Sequence, residues 1–490
     1  MERVKIKKLL KNISVQAIKG SKDVEITGIC SDSKLVAPGN LFVAKKGLTH
    51  DAAKFIPDAI AAGASAILTD LYDPFYPDVV QIIHPDVAAI EAAIAKEYYD
   101  HPSNRLFLVG ITGTNGKTTT AYLVRHLFEK LDERCGLIGT IEWIVGQHVY
   151  PSAKRTTPDA LQNFKLFHEM VAMGCQDCVM EVSSHGLEQN RVQSIEFDVA
   201  VFTNLTQDHL DYHKTMEEYA QAKAKLFSSL KEGEKPYAKT AVVNIDSPYA
   251  AQMVADCHVD ILTYGIDAPA DLKAASIQLT ASGVEFDVIY RDAAYRMTSL
   301  LIGRFNIYNL LAAIGVGIAR GHEIEDILSA LSTFGKVPGR LERIPNEKGL
   351  NIFVDYAHND DALSNVLKTL QEIKQGRLIT VFGCGGNRVQ SKRPKMGAVA
   401  EQLSDLAIIT SDNPRNEEPE EIIRNILSGL KKPGQALVIV DREEAIHRAV
   451  QMARPEDIVL IAGKGHETYQ IFSHQTIDFD DRTVAQSACR

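Results

Sequence analysis

A chain of 490 residues exceeds one ordinary domain, and at roughly 150 residues per domain it suggests about three. With 45% hydrophobic and 24% charged residues, it reads as a soluble globular protein, because no apolar run approaches the ~18 residues needed to span a bilayer. The net charge of −10, with 53 Lys and Arg against 63 Asp and Glu, argues against diffuse attraction to nucleic acid or anionic lipid.

Residues 1–13 carry lysines without the apolar core of an export signal, and the seven scattered cysteines fit free thiols in a reducing cytosol. Residues 1–103 form the first expected domain, a smaller α/β unit. It has an extended stretch ending at Pro38-Gly39, an apolar run at 41–44 and an alanine-rich helix at 55–62 closed by Gly63. His101-Pro102-Ser103-Asn104 reads as a linker. Residues 104–337 then alternate apolar strands (106–111, 178–182, 199–203) with amphipathic helices, one running through Leu123, Leu127 and Leu131. That order predicts a parallel sheet covered by helices. Cys175 and Cys178 have metal-like spacing but no second half, so they read as small residues entering a buried strand. Val284, Phe286, Val288 and Tyr290 alternate with polar neighbours, predicting an appended antiparallel set. Gly335 to Arg340 reads as a hinge. Beyond it, in an expected doubly wound Rossmann-like domain (338–490), five apolar runs (352–354, 378–382, 406–409, 437–440, 458–461) each end in a polar or glycine-rich patch. In an open parallel sheet such tails share the ligand-binding surface.

The strongest chemical signal is Thr112-Gly113-Thr114-Asn115-Gly116-Lys117-Thr118, between the 106–111 strand and the Leu123 helix. It reads as a phosphate loop: glycines let successive N–H groups face phosphate oxygens, Lys117 neutralises the β and γ phosphates, and the Thr118 hydroxyl suits magnesium. Ile111 stands where the strict spacing asks for glycine, so the loop is a variant. Glu181 ends the next strand, where ATP-using enzymes often place an acidic magnesium ligand. The segment from Asn204 to His213 is an unusually polar strand exit holding two carboxylates and two histidines.

Together with Glu181-Val182-Ser183-Ser184-His185-Gly186-Leu187, Ala222-Lys223-Ala224-Lys225, Gly303-Arg304-Phe305-Asn306, Asn309 and Ser31-Asp32-Ser33-Lys34, these motifs resemble the Mur ligases over essentially the whole chain. Those are ATP-dependent amide-forming enzymes of cytoplasmic peptidoglycan precursor synthesis. Asp412-Asn413-Pro414-Arg415 resembles the motif of the branch that adds meso-diaminopimelate to UDP-N-acetylmuramoyl-L-alanyl-D-glutamate.

The resemblance implies that Gly113, Thr114, Asn115, Gly116, Lys117, Thr118 and Thr119 bind ATP phosphates, and that Glu181 and His209 help hold Mg2+. It also implies that Lys223 is carbamylated to an anion that joins the metal site. A desolvated lysine keeps a neutral amine able to take up carbon dioxide. Only the family pattern chooses it over Lys225. Asn306, Asn309, Asp355 and His358 are implied as nucleoside contacts, and Arg340 as a γ-phosphate contact. Thr156, Thr157, Ser183, Gln189 and Arg191 are implied contacts of the UDP-muramoyl peptide, with Ser31 and Ser33 at its uridine end. Arg388, Asp412, Asn413, Pro414, Arg415, Gly463 and Glu467 are implied for diaminopimelate, whose second carboxylate a guanidinium can grip with two hydrogen bonds. The expected partners are small molecules, with no nucleic acid or membrane, and the expected state is a monomer.

A lysine-adding ligase or a folylpolyglutamate synthase would share the ATP apparatus. A phosphate-loop nucleotide switch is the reading of another class. With nucleotide and amino acid on different domains, the Gly335 to Arg340 hinge is expected to close on substrate binding. Small-angle scattering should show compaction when ATP, acceptor and amino acid are added; superimposable profiles would contradict closure.

Overall fold

The computed structural model describes residues 3–46, 51–151, 155–231, 233 and 235–490. They divide into two compact units, Met1–Leu272 with Leu311–Ala330, and Lys273–Leu310 with Leu331–Arg490.

The first unit contains a two-stranded pair, Val4–Lys5 with Glu25–Ile26, and two larger sheets. The N-terminal one runs Ala17–Lys19, Val80–Ile83, Ala66–Thr69, Asn40–Val43, Gly28–Cys30; every pairing is parallel except that of Ala17–Lys19. The expected helix is a 3₁₀ turn, Ala52–Phe55, leading into the helix Ile56–Ala61. At the expected linker the chain forms a 3₁₀ turn, Pro102–Arg105, with Pro102 and Ser103 buried. In the second sheet the strands Cys135–Ile138, Asp177–Glu181, Phe107–Thr112, Val199–Phe202, Thr240–Asn244 and Asp260–Gly265 lie side by side, all parallel. An antiparallel hairpin, Glu142–Val145 with His148–Pro151, extends its edge and was not foreseen.

Phe107–Thr112 is buried along its whole length, as a strand with helices on both faces must be. Its register is pinned from the N-terminal side. Asp198, ahead of the Val199 strand, accepts from Leu108 N at 2.7 Å and from the buried ammonium groups of Lys235 and Lys239, each at 2.7 Å. Lys235 also donates to Leu106 O at 2.8 Å. Two cations on one buried carboxylate are tolerable because every charge there is hydrogen-bonded.

In the second unit the alternating segment forms the antiparallel pair Gly283–Tyr290 and Ala293–Ser299. The main sheet has the order Glu342–Arg343, Asn351–Asp355, Ile458–Ala462, Leu378–Phe382, Leu406–Ile409, Leu437–Val438; only the first strand is antiparallel. All five apolar runs are strands, the fourth ending at Val438 rather than residue 440. Asp360–Ile373, Lys392–Leu403 and Pro419–Leu427 pack with one face of the sheet, and Arg442–Met452 and Asp481–Ala488 with the other, which is the doubly wound arrangement. The end of the expected hinge is clasped to the edge strand: Gly339 N and Lys336 Nζ donate to the two oxygens of Glu342, at 2.8 and 2.7 Å.

At the carboxyl ends of these strands, fully buried Arg442 donates to both oxygens of Asp481 (2.7 and 2.8 Å), to Ser411 O at 3.2 Å and to Ala462 O at 3.0 Å. Removing one partner of a buried pair leaves an uncompensated charge, so Arg442→Met should destabilise the second unit by ~3–5 kcal/mol. Arg442→Met with Asp481→Leu should recover most of that loss in urea unfolding; an unchanged midpoint for the single variant would contradict this account.

Candidate functional site

The Phe107–Thr112 strand delivers its loop to the carboxyl edge of the parallel sheet, and the helix Lys117–Lys130 starts immediately after it. The loop is closed from the neighbouring strand. Thr203 Oγ1 donates to Asn115 O at 2.6 Å, Thr114 N to Asn204 O at 2.9 Å, and Asn115 N to Asn204 Oδ1 at 3.0 Å. Gly113, at φ +150°, is required here, since a Cβ would overlap the Thr203 hydroxyl. Lys117 Nζ donates to Gly113 O and Thr114 O, both at 2.9 Å.

Glu181, buried at the end of the adjacent strand, accepts from Thr118 Oγ1 at 2.9 Å, from Thr140 N at 2.8 Å and from Thr140 Oγ1 at 3.0 Å. Thr140 Oγ1 also lies 3.1 Å from Thr156 Oγ1. Thr157 Oγ1 donates to Glu181 O at 3.0 Å and lies 3.0 Å from Ser183 Oγ, which caps the helix Ser184–Glu188 through Gly186 N. Arg191 donates to Thr157 O at 2.9 Å and to Gln189 Oε1 at 2.5 Å. Thr118, Glu181, Thr156, Thr157, Ser183, Gln189 and Arg191 therefore form one continuous hydrogen-bonded surface. Sequence reasoning missed Thr140, whose signal was its place just after the parallel strand Cys135–Ile138.

The helix Met216–Ser228 separates the two lysines that its sequence left level. Lys223 is 1% exposed and donates to Gly113 O at 2.8 Å, with its nitrogen 4.5 Å from the centre of the Tyr219 ring. The Lys225 side chain is 52% exposed and pairs with Glu188 at 2.6 Å. Burial, and then the Lys117 charge, push the Lys223 amine well below the ordinary lysine range. Helical periodicity carried this signal: Lys223 stands in the buried stripe with Tyr219, Leu226 and Phe227.

His209, in the left-handed region at φ +53°, lies 3.5 Å from Asp208 and edge-on to His185, ring centres 4.9 Å apart. His213 completes the cluster with a 2.8 Å contact to Ser184 Oγ. Magnesium favours oxygen donors, and the Thr118 hydroxyl beside the Glu181 carboxylate fits that preference. Among the described residues, no three His, Cys, Asp or Glu side chains converge as a metal cage. Ser31 and Ser33 lie past the Gly28–Cys30 strand; among the described residues, no hydrogen bond joins them to the phosphate-loop surface.

The second unit carries its own polar surface on the strand tails. Asn413 N donates to Asp412 Oδ1 at 2.6 Å, and Asn413 Nδ2 to Glu467 Oε2 at 2.8 Å. Arg415, at φ +54°, donates through Nη1 to Gly386 O at 2.9 Å and through its backbone N to Ile471 O at 3.0 Å. Glu417 is taken up by Arg393 at 2.9 Å and by Asn387 N at 2.5 Å. It is therefore no partner for Arg415. Arg388 is exposed, and Gly463 lies against Asp412.

Nearby, the Arg340 guanidinium sits 5.1 Å from the centre of the Tyr356 ring, with its Nε buried and without a hydrogen-bond partner. Tyr356 lies 4.8 Å from the His358 ring and 5.0 Å from that of His466. Burial, then the Arg340 and Arg482 charges, push His466 down to about 4. Asp355 accepts from Leu341 N and Ala357 N, both at 2.7 Å; burial raises its carboxyl even though the Arg340 charge opposes it. Asn306 donates to Ile302 O at 2.8 Å and accepts from Asn309 at 2.9 Å.

Comparison with known proteins agrees over the full length. Residues 25–105 match the model of the Mur ligase family catalytic domain, 111–317 the Mur ligase middle domain, and 339–465 the Mur ligase glutamate ligase domain. A UDP-N-acetylmuramoyl-L-alanyl-D-glutamate--2,6-diaminopimelate ligase of Caldanaerobacter subterraneus is 43% identical over 98% of this chain and 97% of its own. A ligase of the same name from Chlamydia abortus is 45% identical over 98% of each. A solved structure of a ligase so named covers 100% of this chain and 99% of its own, with a TM-score of 0.73 at 33% identity. The chain belongs to the Mur ligase family.

Proposed function

We propose that this chain joins meso-2,6-diaminopimelate to UDP-N-acetylmuramoyl-L-alanyl-D-glutamate, cleaving ATP to ADP and phosphate, in the cytoplasmic assembly of peptidoglycan precursors. The reading is carried by Asp412-Asn413-Pro414-Arg415 fixed beside Glu467, in a chain 43% identical over 98% of its length to a ligase of that name. The enzyme is an ATP-dependent, amide-forming ligase acting on small molecules.

A carboxylate is a poor electrophile until one oxygen becomes a leaving group. The γ-phosphoryl group of ATP therefore passes to the D-glutamyl carboxylate, giving an acyl phosphate and ADP. The amine of diaminopimelate attacks the acyl carbon, and the tetrahedral adduct collapses with loss of phosphate. Residues 113–119 bind the ATP phosphates, and Lys117 and Arg340 neutralise charge on the transferring group. Asn306, Asn309, Asp355 and His358 hold the nucleoside. Thr156, Thr157, Ser183, Gln189 and Arg191 orient the muramoyl peptide, while Ser31 and Ser33 bind its uridine end. Mg2+ would be held by Thr118 and Glu181 with His209 and a carbamate on Lys223, and supplies positive charge to the phosphates.

Arg388, Arg415 and Glu467, with Asp412, Asn413, Pro414 and Gly463, receive diaminopimelate. Lysine would leave Arg415 without a carboxylate. The working division is 1–103 for the uridine nucleotide, 104–337 for ATP and 338–490 for the amino acid, in a monomer. No helix of the described residues is long and apolar enough to cross a membrane.

Lys223→Ala should abolish turnover, with partial rescue by a small carboxylic acid, whereas Lys225→Ala should stay active; a fully active Lys223→Ala enzyme refutes the carbamate. Arg415→Ala should raise the diaminopimelate KM tens- to thousandsfold, the equivalent of losing a charge pair worth ~2–5 kcal/mol, while the ATP KM stays put. Equal losses for both substrates would refute the clamp. Product mass from ATP, the muramoyl dipeptide and a panel of amino acids tests the whole reading.

A further inference from the structure

The Gly463 to Glu467 turn contains a charged residue to which the reaction above gives no task. Lys464 has a side chain that is 0% exposed, unusual for an ammonium group without a dedicated role. Its Nζ donates to Asn413 Oδ1 at 3.2 Å and to Glu467 Oε2 at 3.1 Å. Asn413 closes the ring by donating from Nδ2 to that same Glu467 oxygen at 2.8 Å. Ile471 N donates to Asn413 Oδ1 at 3.0 Å, so two donors face the amide oxygen and the amide can sit only one way round.

This ring has an asymmetric product. Glu467 Oε2 takes two donors, while the hydrogen bonds of the described residues give Oε1 none, and the Glu467 side chain is 17% exposed. Asn413 is also the link to Arg415, because its backbone carbonyl lies 3.5 Å from Arg415 Nη1. One residue, through its side-chain amide and its backbone carbonyl, thus connects the cationic and anionic groups of the surface.

We propose that Lys464 is a positioning residue of the amino-acid site: it locks Asn413 and Glu467 so that the second Glu467 oxygen is presented, at a fixed separation from Arg415, to an ammonium group of the incoming amino acid. A head bearing both a carboxylate and an ammonium then satisfies Arg415 and Glu467 together. The identity of that amino acid rests on the diaminopimelate reading; the lock does not.

Steady-state kinetics of the full-length enzyme, with ATP, muramoyl dipeptide and diaminopimelate varied in turn, tests the lock. Lys464→Met should raise the diaminopimelate KM roughly ten- to a hundredfold, in line with residues that orient a ligand-binding group, and leave the ATP and dipeptide KM within about twofold. In Lys464→Met with Glu467→Gln, the diaminopimelate KM should be no worse than in Glu467→Gln alone, because both changes remove the same presented oxygen. Lys464→Arg should restore part of the affinity. Should Lys464→Met fail to fold, Asn413→Ser removes the relay while keeping both charges, and should give the same selective rise. An unchanged diaminopimelate KM in a folded variant, parallel rises for all three substrates, or additive losses in the double variant would each overturn the proposal. A wild-type enzyme that turns over with another amino acid would overturn the acceptor assignment instead, and the same split would then be read with that acceptor.

Discussion

Two lysine nitrogens, those of Lys117 and Lys223, converge on the carbonyl oxygen of Gly113. Burial first, and then the nearby Lys117 charge, disfavours the ammonium form of Lys223. Lys117 is partly exposed at the mouth of the loop. Lys223, enclosed by its helix, is driven toward the neutral amine. The sheet imposes this convergence. Phe107–Thr112 lies between Asp177–Glu181 and Val199–Phe202, so the tails of three adjacent parallel strands supply the loop, the Glu181 carboxylate and the Thr203-Asn204 brace at one edge.

The second unit solves a different problem with the same architecture. Its strand tails gather Asp412, Asn413, Arg415, Lys464 and Glu467, which form a polar network that is costly unless each member is satisfied. Arg442 and Asp481 lie just beneath, tying Ser411 and Ala462, from the ends of two strands, to the last helix. The strand ends that carry these residues are thus anchored by a buried ion pair beneath them.

Much of this was legible in the sequence for a physical reason. Strands buried on both faces must be continuous apolar runs, and such runs stop where the backbone reaches the ligand-bearing edge. The runs at 106–111, 378–382 and 406–409 accordingly mark both the sheets and the places where chemistry gathers. The glycines and lysine of the phosphate loop were readable because they act through local backbone geometry. Pairings such as Asn413 with Glu467, Arg442 with Asp481 or Lys235 with Leu106 O were not, because they depend on which strands become neighbours and in what register. Lys223 lies between these cases: its helix position placed it in the apolar stripe, but only the packed structure encloses its amine. The hairpin Glu142–Val145 and His148–Pro151 is too short to announce itself by pattern.

The small hairpin Tyr469–Ile471 with Thr476–Asp478 holds more than its size suggests, since Ile471 both donates to the Asn413 side chain and accepts from Arg415 N. The polar groups on these strand tails are therefore held together by two brief stretches of chain, 412–415 and 464–471, remote in sequence from the phosphate loop.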